Sequence, residues 1–194
     1  MAVIFSQLSR LLTQREPSFQ SWRKPAAIMV LLARTPILSV LLIHRPDTLT
    51  HHAGQIACPG GSFDPILDQT LWDTARRETQ EEVGIAVCRS SFTGFLDPVY
   101  ISVTGFTVIP AVSLLPAQAA VIPHLGEVQS YCWVSIEELR QVKRMGTLRA
   151  DGVSYRFPEF PLPWGRVWGA TARVMEQLLQ VLDGDGEGAA REDS

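Results

Sequence analysis

An α/β/α sandwich, with a mixed sheet between helices, is the fold class this sequence predicts. Three observations predict it. Apolar runs of strand length read as buried strands, stretches of helical period fall far apart among them, and 46% hydrophobic against 19% charged residues in 194 leaves ample material for one sizeable core.

The elements follow in order. Residues 1–14 place Val3, Ile4, Leu8, Leu11 and Leu12 at a helical spacing. They show no basic leader and no small-residue cleavage site, so no signal peptide is expected. Strand candidates lie at 26–32, 39–43, 55–58, 93–96, 105–114 and 129–134. The first two sit in apolar runs separated by Arg34, Thr35 and Pro36, and neither run approaches the roughly 20 residues of a membrane span. Helices are expected at 71–83, at 136–143 behind Ser135 as N-cap, and at 167–182, where Val167, Val174, Leu178 and Leu182 recur. One domain over residues 1–182 is expected. Residues 183–194, with Gly184, Gly186 and Gly188 among acids, are expected to form a disordered tail.

Composition narrows the function. A net charge of −3, with no interleaving of basic and aromatic residues, gives no footprint for a nucleic-acid backbone. A small anionic substrate must then bring its own cation. Cys58, Cys88 and Cys132 are odd in number and lack metal-ligand spacing, which argues against a disulfide framework or a zinc site and fits a reducing, cytoplasmic setting. Oligomeric state is not legible.

The segment from Pro59 to Pro65 is expected to be a loop, its Gly60-Gly61 pair permitting positive φ or close backbone approach. Thr70-Leu71-Trp72-Asp73 then has capping-box spacing, and Gly84 supplies a left-handed stop. Inside this helix Glu78, Glu81 and Glu82 stand at i, i+3 and i+4 on one face. Like charges at that spacing cost a few tenths of a kcal/mol per pair, and the helix dipole disfavours acids in the last turn. Helix stability therefore does not explain them. A solvated face is the ordinary use of such residues, but hard oxygen ligands without His or Cys suit Mg²⁺ or Mn²⁺, ions matched to phosphate chemistry. Arg77 precedes Glu81 in the poorer orientation for helix support and is expected to orient a carboxylate.

Gly61 and the run Arg77-Glu78-Thr79-Gln80-Glu81-Glu82-Val83-Gly84-Ile85 resemble the Nudix box, G-x5-E-x7-R-E-U-x-E-E-x-G-U with U apolar. Thr79 stands for an apolar residue. The interval from Gly61 to Arg77 is longer than usual, and the acid near the first glutamate's place is Asp68, which either substitutes for it or begins the helix. Upstream, Leu41 to Arg45, Leu49, His52, Gly54, Gln55 and Pro59-Gly60-Gly61 resemble the extra signature of the coenzyme A pyrophosphatase branch, with Thr50 and Cys58 departing from it. Glu127-Val128 and residues 167–172 are also similar to that branch.

The resemblance implies a Nudix-like sandwich and Mg²⁺- or Mn²⁺-dependent hydrolysis of coenzyme A, or a derivative, to 3′,5′-ADP and 4′-phosphopantetheine. Glu78, Glu81 and Glu82 would hold the cations. Glu81, Glu82, Arg77 and the distant Glu127 are the candidate catalytic residues, the base lying open between Glu82 and Glu127. Arg45, His52, Gly54, Gln55, Gly60 and Gly61 are the candidate substrate-binding residues. His44, His124, Trp133 and Trp168 are expected to be structural. The alternatives are another nucleoside diphosphate derivative, such as ADP-ribose or a dinucleotide, a noncanonical nucleoside triphosphate, or a Nudix-like binding module without catalysis.

Overall fold

The computed structural model describes residues 2–48, 54–150 and 153–184. Eight strands form one mixed sheet: β1 (Lys24–Ala33), β2 (Ser39–His44), β3 (Ile56–Ala57), β4 (Gly60–Ser62), β5 (Phe92–Phe95), β6 (Val99–Ile101), β7 (Phe106–Leu115) and β8 (Ser130–Ser135). The path runs β3-β2-β1-β7-β5, with β4 also paired to β1, β6 to β7 and β8 to β2. β1 and β7 are parallel from Lys24↔Phe106 to Ala33↔Leu115, and the other pairs are antiparallel.

Alternate side chains divide the core between the two faces of this sheet. Ala27, Met29, Leu31, Leu41 and Ile43 pack with Leu71, Trp72, Ala75 and Val83 of α2 (Leu71–Val83). Val30, Leu32, Val40 and Leu42 pack with Leu8 of α1 (Ala2–Leu11), Leu139 of α3 (Ile136–Val142) and Met175 and Leu178 of α4 (Gly169–Asp183). A sheet covered on both faces needs no polar alternation, which is why β1 and β2 read as continuous apolar runs.

Four expectations change. The segment 59–65 is not all loop, because Gly60, Gly61 and Ser62 pair with Ile28, Ala27 and Ala26. Gly60 has φ 153°, and a Cβ there would collide with the β1 backbone, so the glycines permit a strand that passes unusually close. A second, three-stranded sheet, β9 (Arg144–Ala150), β10 (Val153–Leu162) and β11 (Gly165–Val167), was not expected, since Pro158, Pro161 and Pro163 disguise its period. Asp151-Gly152, between the partners Ala150 and Val153, is nonetheless a hairpin signal. The last helix starts at Gly169, with Val167 closing β11. It runs through Asp183, whose carboxylate accepts from Arg140 Nε at 3.1 Å and Nη2 at 2.6 Å, so the proposed tail loses Asp183 to the helix. The tail's residues 185–194 lie outside the described residues. No described helix is long and apolar enough to cross a membrane.

Candidate functional site

Helix α2 is fixed at both ends. Thr70 and Asp73 form the expected capping box, and Glu16 accepts from the Leu71 amide at 2.6 Å. At the other end Gly84 adopts φ 71°. The amides of Ile122 and His124 donate to the main-chain oxygens of Val83 and Glu82, each at 2.9 Å. A helix end left with unpaired carbonyls thus docks the loop that carries Glu127.

That docking brings Glu127 to Glu78 and Glu82: one carboxylate oxygen from each lies within 4.8 Å of the other two. Glu82 is 1% exposed, accepting from the Gly60 amide through Oε2 at 2.9 Å and from Arg45 Nη1 through Oε1 at 3.0 Å. Burial pushes its carboxyl up to about 7; the Gly60 amide and Arg45 oppose the shift, and the Glu78 and Glu127 charges add to it. Glu78 is likewise raised, first by burial, against the pull of Arg77. Gly61 makes room beside it, for a Cβ there would lie 2.5 Å from the Glu78 carboxyl carbon. Glu81 is 54% exposed and stands outside the tight group.

Arg77 ties the helix face to the preceding loop. Its Nε and Nη2 donate to the two oxygens of Asp68, each at 2.9 Å, while Nη1 donates to Glu78 at 2.8 Å and Glu81 at 3.0 Å. Asp68 also accepts from Thr74 Oγ1 at 2.9 Å and from the Asp64 amide at 3.1 Å. Burial alone would raise the Asp68 carboxyl, but Arg77 and these donors outweigh it and hold it below its usual range. Asp68 is thus a buried acceptor for Arg77, and the helix begins after it, at Leu71. Thr79 is fully buried, and its hydroxyl donates to the Ala75 carbonyl at 2.6 Å, which satisfies it at an apolar position.

The expected substrate contacts divide. Gly60 and Gly61 border the acidic group. Arg45, the candidate for an anionic part of the substrate, donates through Nη1 to Glu82. Gln55 accepts from the Arg45 amide at 3.0 Å, and Gly54 offers its carbonyl to His44 Nε2 at 3.1 Å, so both brace the end of β2. His52 lies outside the described residues. Of the histidines expected to be structural, His124 has Nδ1 3.6 Å from a Glu127 oxygen. The supporting roles of Asp64 and Thr74 had no sequence signal beyond their closeness to the start of α2 or their place in it, and that of Glu16, 55 residues before Leu71, had none.

Three carboxylates gathered together, with Arg77 shared among Asp68, Glu78 and Glu81 and a single arginine on Glu82, two of the three with raised pKa values, fit a divalent metal of hard-oxygen preference. They offer oxygen only, which suits Mg²⁺ or Mn²⁺ better than zinc.

Residues 22–155 match the model of the NUDIX domain family. The chain is 35% identical over 182 residues to the Nudix hydrolase NudL of Pectobacterium atrosepticum, covering 91% of this chain and 93% of that one. It is 34% identical over 169 residues to NudL of Yersinia pestis, covering 84% and 82%. Among solved structures, the NUDIX domain of Shewanella oneidensis NrtR, complexed with ADP ribose, gives a TM-score of 0.60 at 18% identity over 87% of this chain and 94% of that one. A MutT/nudix family protein from Enterococcus faecalis gives 0.60 at 19% identity, over 88% and 66%. At such identities the structural likeness is one of fold.

Proposed function

The chain belongs to the Nudix family, and from that premise we propose that it is a Mg²⁺- or Mn²⁺-dependent pyrophosphohydrolase acting on coenzyme A or a close derivative, with 3′,5′-ADP and 4′-phosphopantetheine as products. The observation that carries the hydrolase chemistry is the convergence of Glu78, Glu82 and Glu127 within 4.8 Å. Together they would hold the cation, and the exposed Glu81 extends the acidic face towards solvent. A cation there supplies the positive charge that screens a pyrophosphate and favours deprotonation of the attacking water.

The protein's own residues set the geometry. Asp68 fixes Arg77, which in turn fixes Glu78 and Glu81; the Gly60 amide fixes Glu82. Both Glu82 oxygens are engaged, whereas Glu127 is 44% exposed, so Glu127 is the better placed of the two to accept a proton from water.

The coenzyme A assignment rests on the signature around Arg45, Gly54, Gln55, Gly60 and Gly61; of these, Arg45 and the Gly60 amide meet Glu82, which is far from them in sequence, while Gln55 and Gly54 hold the main chain at Arg45 and the His44 ring beside it. A general Nudix hydrolase needs α2 and has no need of a particular pattern there. Product analysis with Mg²⁺ or Mn²⁺ and either coenzyme A or ADP-ribose tests it. Coenzyme A should be cleaved between its bridging phosphates and at the higher rate. Equal rates, or faster cleavage of ADP-ribose, would leave the substrate a different nucleoside diphosphate derivative, and no metal-dependent turnover of any would favour a binding module.

A further inference from the structure

Resting on the assignment of Glu78, Glu82 and Glu127 as the cation site, we propose that Arg45 is an exchangeable counter-ion: it pairs with Glu82 in the cation-free protein and is released by cation binding to face the anionic substrate.

Two arginines border the same acidic group, and they are held very differently. Arg77 donates through Nε, Nη1 and Nη2, to Asp68, Glu78, Glu81 and the Ser62 carbonyl. Its planar fork is occupied in the manner of a permanent structural tie. Arg45 meets Glu82 through Nη1, while its Nε is buried with no partner among the described residues. A buried N–H without an acceptor is unfavourable, so this rotamer is held by the charge of Glu82 and not by a complete set of contacts. The backbone beneath it is anchored, because the Arg45 amide donates to Gln55 and the strand before it is paired on both sides. Movement therefore belongs to the side chain.

The oxygens of Glu82 fix where the exchange occurs. Oε2 is taken by the Gly60 amide, a main-chain donor within the β4–β1 pairing. Oε1 is taken by Arg45. A divalent cation sharing Glu82 with Glu78 and Glu127 meets the guanidinium at short range, and two cations on one carboxylate repel. Cation and guanidinium are competitors for Glu82, and competition is reciprocal. Once freed, a guanidinium at the rim of the site has the donor geometry to receive a phosphate. Arg45 would then serve the substrate only after the metal has arrived.

The test uses MgCl₂ alone, without substrate. Calorimetric titration at pH 8.5 compares the parent with Arg45→Met and Arg45→Lys, and melting in EDTA is measured on the same samples. Arg45→Met should bind Mg²⁺ at least about threefold tighter than the parent and melt lower in EDTA, while Arg45→Lys stays near the parent on both counts. Affinity equal to or weaker than the parent's, or unchanged melting in EDTA, overturns the proposal and leaves the cation site standing. A parent that binds no Mg²⁺ overturns both. Should Arg45→Met fail to fold, the parent itself decides. Modification by phenylglyoxal, read by mass spectrometry, should be at least about threefold faster at Arg45 in Mg²⁺ than in EDTA while Arg77 stays constant. Equal rates at Arg45 overturn the exchange.

Discussion

Glu82, on α2, and Glu159, on β10, are both buried glutamates paired with arginine, yet their carboxyls shift in opposite directions. Glu159, on β10, accepts from Arg144 at 2.7 Å and Arg166 at 3.0 Å, and these two cations, Arg144 first, hold it below the usual range despite its burial. Glu82 has one arginine and two neighbouring carboxylates, and burial carries it up to about 7. The lesson is one of local charge balance. A buried carboxylate with surplus cations around it is a structural tie; one with too few is a place prepared for a cation from outside.

The largest expected effect separates the two residues by activity. Glu82→Gln should lower turnover at saturating Mg²⁺ by at least about 100-fold, the scale of removing one well-placed electrostatic group, while melting in EDTA holds or rises. Glu159→Gln should leave turnover near the parent's and cost about 1 kcal/mol of stability, since both its arginines are solvent-exposed. Near-normal turnover in Glu82→Gln would remove Glu82 from the chemistry.

The tie behind the acidic face comes next. Asp68→Asn removes the charge that Arg77 grips and should lower turnover about 10- to 100-fold, with a weaker apparent affinity for Mg²⁺, as expected for a residue that orients ligands from behind. A rate within a factor of about two of the parent would show that Glu78 needs no such anchor.

Acid melting curves without metal sharpen the comparison further, because the two signs are opposite. Glu82 binds its proton more tightly folded than unfolded, so its protonation favours the fold at low pH. That advantage is lost as pH rises from the unfolded value of 4.5 through about 7, a change of about 3 kcal/mol that Glu82→Gln should not show. Glu159 binds its proton less tightly folded. Its contribution is present above the unfolded value and disappears as pH falls through the folded one, so the deficit of Glu159→Gln should shrink in acid. Parallel pH profiles for the two variants would dissolve the distinction.

The smallest effect is expected at the C-terminus. Deleting 185–194 should change neither melting temperature nor rate, for a run of glycine and acid has little to bury. A cut that also removes Asp183 should cost less than about 1 kcal/mol, because its pair with Arg140 is solvent-exposed.

Local patterns carried much of this in the sequence. The span of α2, its capping box and its left-handed stop all depend on neighbours within four residues, and all were legible. So were the two-faced burial of β1 and β2 and the helix at the N-terminus. The prolines of β10 hid a strand because each removes a donor without preventing pairing through the other edge. What only the tertiary structure decided is which of the acidic residues act together. Glu127 joins Glu78 and Glu82 because its loop caps the end of α2, Glu81 faces solvent beside them, and Arg45 reaches Glu82 because β2 ends beside β4's approach. Charge spacing along a helix is fixed by its 3.6-residue turn, but the burial that raises Glu82, and the single arginine that answers it, arise from sheet register and loop docking between segments far apart in the chain.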